Sequence, residues 1–150
     1  MRAVIGLGDP EKGDDGIGPR VLELMKAGPD TFRLQPSHDM LSLVDLGKAI
    51  SHVIIIDAAR SGGEPGRVLT LELSGPLRKN LRRNDINLLG PFMHGVDLSQ
   101  VLLMADDLGQ FPERIMLYGV VGENFKRGAP MSPAVEAAAH ELATLLSMEL

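Results

Sequence analysis

The chain contains no cysteine and no tryptophan, and aromatic residues make up only 3% of it. Without cysteine there is no disulfide, no thiol nucleophile and no thiolate-bound zinc or iron–sulfur centre. Any metal must be held by oxygen and nitrogen. With so few aromatics, the core has to be aliphatic. An excess of positive charge is also missing: the net charge is −5 and the pI about 5.3. That argues against binding nucleic acid or acidic membranes through a basic surface. No apolar run approaches the ~18–20 residues of a membrane-spanning helix. The apolar start, Met1 to Gly6, is too short for a signal peptide. A cytoplasmic protein is therefore expected, with neither nucleic acid nor membrane as partner.

The 150 residues are 44% hydrophobic, enough for one core, and a single domain over 1–150 is expected. Ala3 to Leu7 reads as a buried strand and Gly8 to Gly16 as a turn-rich loop. A helix follows in which Pro19 sits in the first turn and Val21, Leu22, Leu24 and Met25 form the apolar face, with Gly28-Pro29 as its stop. Phe32 to Leu34 is a short strand. Leu41 to Ile50 suits a second helix. Val53 to Ile56 is β-branched throughout, the pattern of a central strand buried on both faces. Val68 to Ser74 alternates as an edge strand does.

Gly75 to Met93 is irregular and reads as a long loop, of the kind that often carries function. Its basic run from Arg78 to Arg83 is a solvated face, or a docking surface for an acidic partner. Asp97 with Gln100 has capping-box spacing for a helix ending at Gly109. Ile115 to Val121 is another strand. Ser132-Pro133 caps a last helix with a clear stripe from Val135 to Leu146. The order β-α-β-α-β-β-α-β-α implies an α/β three-layer sandwich. A mostly parallel, mixed sheet of about five strands would have helices on both faces.

Three segments place a metal ligand beside a turn. Asp14-Asp15 lies between Gly13 and Gly16-Ile17-Gly18, Asp57 ends the apolar run from Val53, and His94 precedes Gly95. Two carboxylates and an imidazole can hold a divalent transition metal with positions left open. Each has a plainer reading. The aspartates can cap a helix, Asp57 can cap a loop, and His94 can be an exposed loop residue. A helix start would keep the His94 ring neutral, the form that binds metal. Among the other histidines, His52 and His140 read as structural or solvated, and His38 is undecided. Gly6-Leu7-Gly8 opens like a dinucleotide fingerprint, but Glu11 replaces the third glycine. Ser37, Ser42, Ser61 and Ser99 sit in no nucleophile elbow.

The motifs together resemble a known family. Gly6-Leu7-Gly8-Asp9-Pro10 with Gly13-Asp14-Asp15-Gly16-Ile17-Gly18 is similar to the N-terminal motif of the nickel–iron hydrogenase maturation endopeptidases. So are the strand ending in Asp57-Ala58, the turn Gly63-Glu64-Pro65-Gly66 and His94-Gly95-Val96-x-Leu98. Gly119 to Glu123 through Gly128, then Ser132-Pro133-x-Val135, completes the pattern. The resemblance implies a phosphorylase/hydrolase-like fold. It also implies an endopeptidase, aspartic-type or metal-dependent, that removes a C-terminal peptide from the hydrogenase large-subunit precursor after nickel insertion. Asp15, Asp57 and His94 correspond to the family's metal-contacting and catalytic positions. The nickel would come with the substrate, no organic cofactor is implied, and a monomer is expected.

Two departures stand out. Asp9 replaces the family's usual Asn and adds a charge near the site. Gln35-Pro36-Ser37-His38-Asp39 stands where many members carry a Gly-Gly-Thr-type segment, a region that can define which precursor is read. Two other readings share features with this one. A peptidyl-tRNA hydrolase also opens Gly-Leu-Gly-Asn-Pro, and a nickel-site checkpoint module could keep the fold without cleaving.

Overall fold

The computed structural model describes residues 1–35, 50–60, 62–74 and 89–149. Of the helix expected over Leu41 to Ile50, residues 41–49 lie outside them and Ile50 is in no helix; His38, Ser61 and the basic run from Arg78 to Arg83 also lie outside. The described elements are β1 (Arg2–Gly6), a 3-10 turn (Gly13–Gly16), α1 (Ile17–Leu24), β2 (Thr31–Leu34), β3 (His52–Ala59), β4 (Val68–Glu72), α2 (Gly95–Asp107), β5 (Arg114–Val121) and α3 (Pro133–Glu149). One five-stranded sheet has the order β2-β1-β3-β5-β4. The first four strands are parallel and β4 lies antiparallel on β5.

Strand alternation builds the layers. Val4, Ile54, Ile56, Ala58, Tyr118 and Val120 point to the face covered by α1 and α3. Ala3, Ile5, Val53, Ile55, Ile115 and Leu117 point to the opposite face, where Leu98 and Leu102 of α2 pack. Burying each Val, Leu or Ile contributes about 1.5–3 kcal/mol. With both faces covered, the stretches Ala3 to Ile5, Val53 to Ile56 and Ile115 to Leu117 need no polar positions, which explains their apolar runs. β4 is at the edge and half exposed, as its alternation indicated.

The order of the first three strands decides where a site can form. β1 has β2 on one side and β3 on the other, so the chain reverses its direction of sheet growth between β1 and β3. A crevice opens at the carboxyl ends of strands flanking such a reversal. There α1 crosses β1 closely, because a Cβ at Gly18 would strike the backbone of Leu7 and Gly6. Gly13, with φ of 57°, takes the left-handed turn that starts the 3-10 segment.

Some boundaries differ from expectation. α1 begins at Ile17 and stops at Leu24, before Gly28-Pro29, as Met25 turns extended. α2 begins at Gly95 with His94 as N-cap, so Asp97 lies in the first turn and makes no capping box. Ser132 accepts the Glu136 N–H at the start of α3, but its hydroxyl turns away from the helix to Asp14.

Candidate metal-ligating site at the sheet's carboxyl edge

Asp57 does not end β3. The strand runs two residues further, and Asp57 is a fully buried carboxylate within it, opposite Gly119 of β5. Burial of a charge is tolerated only when it is well bonded. Asp57 accepts from the N–H of Ala58 (2.9 Å), the N–H of His94 (2.8 Å) and the His94 ring at Nδ1 (2.7 Å).

His94 reaches it because the preceding segment is pinned across the end of β3. The N–H of Met93 donates to the carbonyl of Ala58, the N–H of Arg60 donates to the carbonyl of Pro91, and Phe92 bridges Ala59. Phe92 fits there because Gly119 has no side chain; a Cβ at that position would collide with the ring. Gly119 and Phe92 thus position His94. The only sequence hint of it was a glycine in an apolar strand, which can mark a close approach.

A carboxylate can only accept, so His94 Nδ1 carries the hydrogen and Nε2 is left free as an acceptor. The pKa of His94 is raised above its ordinary value, first by the bond to Asp57, against burial, with the charges of Asp57, Asp15 and Asp97 adding to it. The net direction is thus opposite to the one expected from the helix N-terminus alone. Three nearby carboxylates outweigh the partial positive charge of one helix end.

The adjacent aspartates have separate tasks. Asp14 is fully buried and accepts four hydrogen bonds: from the N–H of Glu123 (2.9 Å), Asn124 (3.2 Å) and Ser132 (2.7 Å), and from the Ser132 hydroxyl (2.7 Å). Burial alone would raise its pKa, but those donors outweigh it and the net direction is down. Asp14 is neither a helix cap nor part of the metal-capable cluster. It ties the 3-10 turn to the loop after β5.

Asp15, 6% exposed, turns the other way. Its Oδ2 accepts the N–H of Asp9 (2.8 Å), while its buried Oδ1 has no partner. Ligand atoms of Asp15, Asp57 and His94 all lie within 4.8 Å of one another. Among the described residues they form the one such cluster. Two carboxylates and an imidazole make an oxygen and nitrogen donor set suited to a divalent transition metal. The orphaned Oδ1 is an atom that a cation would satisfy.

The charge that Asp9 adds faces outward from this cluster. Its carboxylate accepts the N–H of Glu11 and pairs with Arg127 at 3.3 Å. The bond from Glu11 is the largest cause of its lowered pKa, with burial opposing and Arg127 and Lys12 assisting. His140 is exposed on α3 and bonds Glu136, and His52 begins β3, so neither joins the site.

The family model described as hydrogenase maturation protease (HycI) matches residues 34–149. The hydrogenase expression/formation protein HoxM of Cupriavidus necator is 27% identical, covering 97% of this chain and 74% of that protein. Among solved structures, the hydrogenase maturating endopeptidase HybD of E. coli superposes with a TM-score of 0.78. It is 23% identical and the match covers 99% of this chain and 93% of that one. A hydrogenase 2 maturation peptidase from a Thaumarchaeota archaeon gives 0.70 at 27% identity, over 99% and 97% of the two chains. The five-stranded mixed sheet and the match over residues 34–149 agree, and the chain belongs to the hydrogenase maturation proteases.

Proposed function

We propose that the chain is the endopeptidase that removes the C-terminal extension of a nickel–iron hydrogenase large-subunit precursor once nickel is in place. On this reading the nickel is part of the substrate, and Asp15, Asp57 and His94 inspect it. The observation that carries this is the approach of three ligand atoms to within 4.8 Å around a buried carboxylate oxygen that lacks a partner. The geometry suits capture of a metal that arrives already bound elsewhere. One oxygen of Asp15 and Nε2 of His94 are free, while Asp57 is committed to three hydrogen bonds.

Each residue has a definable task in that reading. Asp57 fixes the His94 tautomer and aims Nε2 outward. Asp15 offers its unpartnered oxygen as a hard ligand. Substrate nickel supplies Lewis acidity to the scissile carbonyl or to an attacking water. Cysteine is absent and no serine elbow exists, so water is the nucleophile this donor set favours. The partner is the precursor protein, the protease works as a monomer, and the compartment is the cytoplasm. No helix among the described residues is long and apolar enough to cross a membrane.

The test compares a nickel-loaded precursor with the same precursor lacking metal. Cleavage of the loaded form alone, lost in His94→Ala, is expected. Equal cleavage of both forms would remove nickel recognition. Tight binding without cleavage would make the protein a checkpoint module instead.

A further inference from the structure

Beside the metal-capable cluster lies an open groove of about 480 Å³ past the carboxyl ends of β3 and β5, lined by Arg60, Gly62, Gly63, Gly122, Phe125 and Lys126 among others. Its floor is built rather than incidental. Gly122 has no side chain because a Cβ there would lie 2.7 Å from Asp14 Cβ and 2.8 Å from the Phe125 ring. The Phe125 ring packs against the α1/α3 core and supports the Arg60 guanidinium, whose Cζ sits 4.5 Å from the ring centroid. A stacked guanidinium keeps its fork of N–H donors pre-oriented for a carboxylate.

The groove brings two cations together beside an aromatic ring. Arg20, Arg114 and Arg127 each pair with a glutamate or aspartate. Arg60 and Lys126 are exposed and, among the described residues, neither forms an ion pair, although Glu123 lines the same groove. Two exposed cations without an ion pair among the described residues thus line one groove. An extended strand advances about 3.3 Å per residue, so Arg60 stands roughly 10 Å from Asp57 along the strand direction.

We propose that this groove is the subsite for a carboxylate-bearing stretch of the precursor. An acidic side chain about three residues from the scissile bond would be taken by Arg60 with Lys126. The proposal rests on the protease reading and adds a charge requirement to it. The approach is open at Gly62, where even a Cβ would meet nothing within 4 Å.

The test titrates the isotopically labelled full chain, in about 0.15 M salt, with two blocked pentapeptides. They differ only in carrying glutamate or lysine at alternate positions. Amide shifts at Arg60, Gly62, Gly63 and Gly122 are expected with the glutamate peptide alone. Arg60→Gln with Lys126→Gln should weaken that binding about five- to tenfold, the scale of two exposed pairs. Equal shifts with the lysine peptide, or no loss in the double variant, would overturn the proposal. Processing of the nickel-loaded precursor adds a second reading, in which the double variant's defect should fall on KM rather than kcat. Failure of the wild-type chain to cleave would count against the protease reading, while the titration would still decide the groove.

Discussion

Exchanging either of two neighbouring aspartates for asparagine should have opposite consequences, because their partners differ. In Asp14→Asn the amide nitrogen must replace one carboxylate oxygen. Oδ2 accepts three bonds and Oδ1 one, so the nitrogen will take the Oδ1 position, facing the N–H of Ser132. Ser132 is buried, so two donors are left opposed without water, at about 1–3 kcal/mol for each unsatisfied group. The three retained bonds also fall from charge-assisted to neutral, which costs further. The total loss should be about 3–5 kcal/mol, a large share of a small domain's stability. In Asp15→Asn the oxygen keeps the bond from the Asp9 N–H, and the nitrogen occupies the position of an oxygen that had no partner. Stability should change by no more than about 1 kcal/mol. Urea unfolding of both variants, with m-values checked against the parent chain, measures the difference. Near-parental stability for Asp14→Asn, or an equal loss at Asp15, would refute this division of tasks. Processing should instead be lost in Asp15→Asn, which folds yet lacks the charge a cation needs.

Other expectations follow from the same contacts. Asp14 and Glu136 both titrate below their ordinary 3.8 and 4.5, Glu136 chiefly through its bond from Arg20. Their stabilisation is complete above those values and is lost as pH falls through the lowered folded ones; acid unfolding of Asp14→Asn should accordingly show a shallower limb. Gly119→Ala should displace Phe92, cost about 1–3 kcal/mol as overpacking, and reduce processing by moving His94; unchanged melting and cleavage would detach Phe92 from the site. Nickel, zinc or cadmium should bind the isolated protein weakly, because Asp57 is already committed to three bonds; calorimetry that finds metal surviving extensive chelation would indicate a resident metal centre.

What the sequence made legible was whatever depends on periodicity. The β-branched run from Val53, the alternation of β4 and the stripe of α3 each encode a burial pattern, and the sheet followed from their order. That the Asp14-Asp15 turn, Asp57 and His94 meet was also readable, since the carboxyl ends of parallel strands and the helix starts beyond them share one edge of the sheet, with Asp15 singled out by the family resemblance. The division between Asp14 and Asp15 was not. It depends on backbone N–H groups of residues 123, 124 and 132, more than a hundred positions away, and no local pattern reports where those donors point. The same limit explains the direction of the His94 shift. A helix start is visible in sequence, but the bond to Asp57 and the nearby charge of Asp15, both from other segments, are not, and with Asp97 of the same helix they reverse the direction of the local effect. Asp9 shows the converse: a substitution that looks like added charge at the site proves, in three dimensions, to face Arg127. Charge read along the chain gives the donors a site could use; only the fold says which of them are already taken. Asp15 is the candidate ligand because Asp14 is fully bonded and the Oδ1 of Asp15 is not.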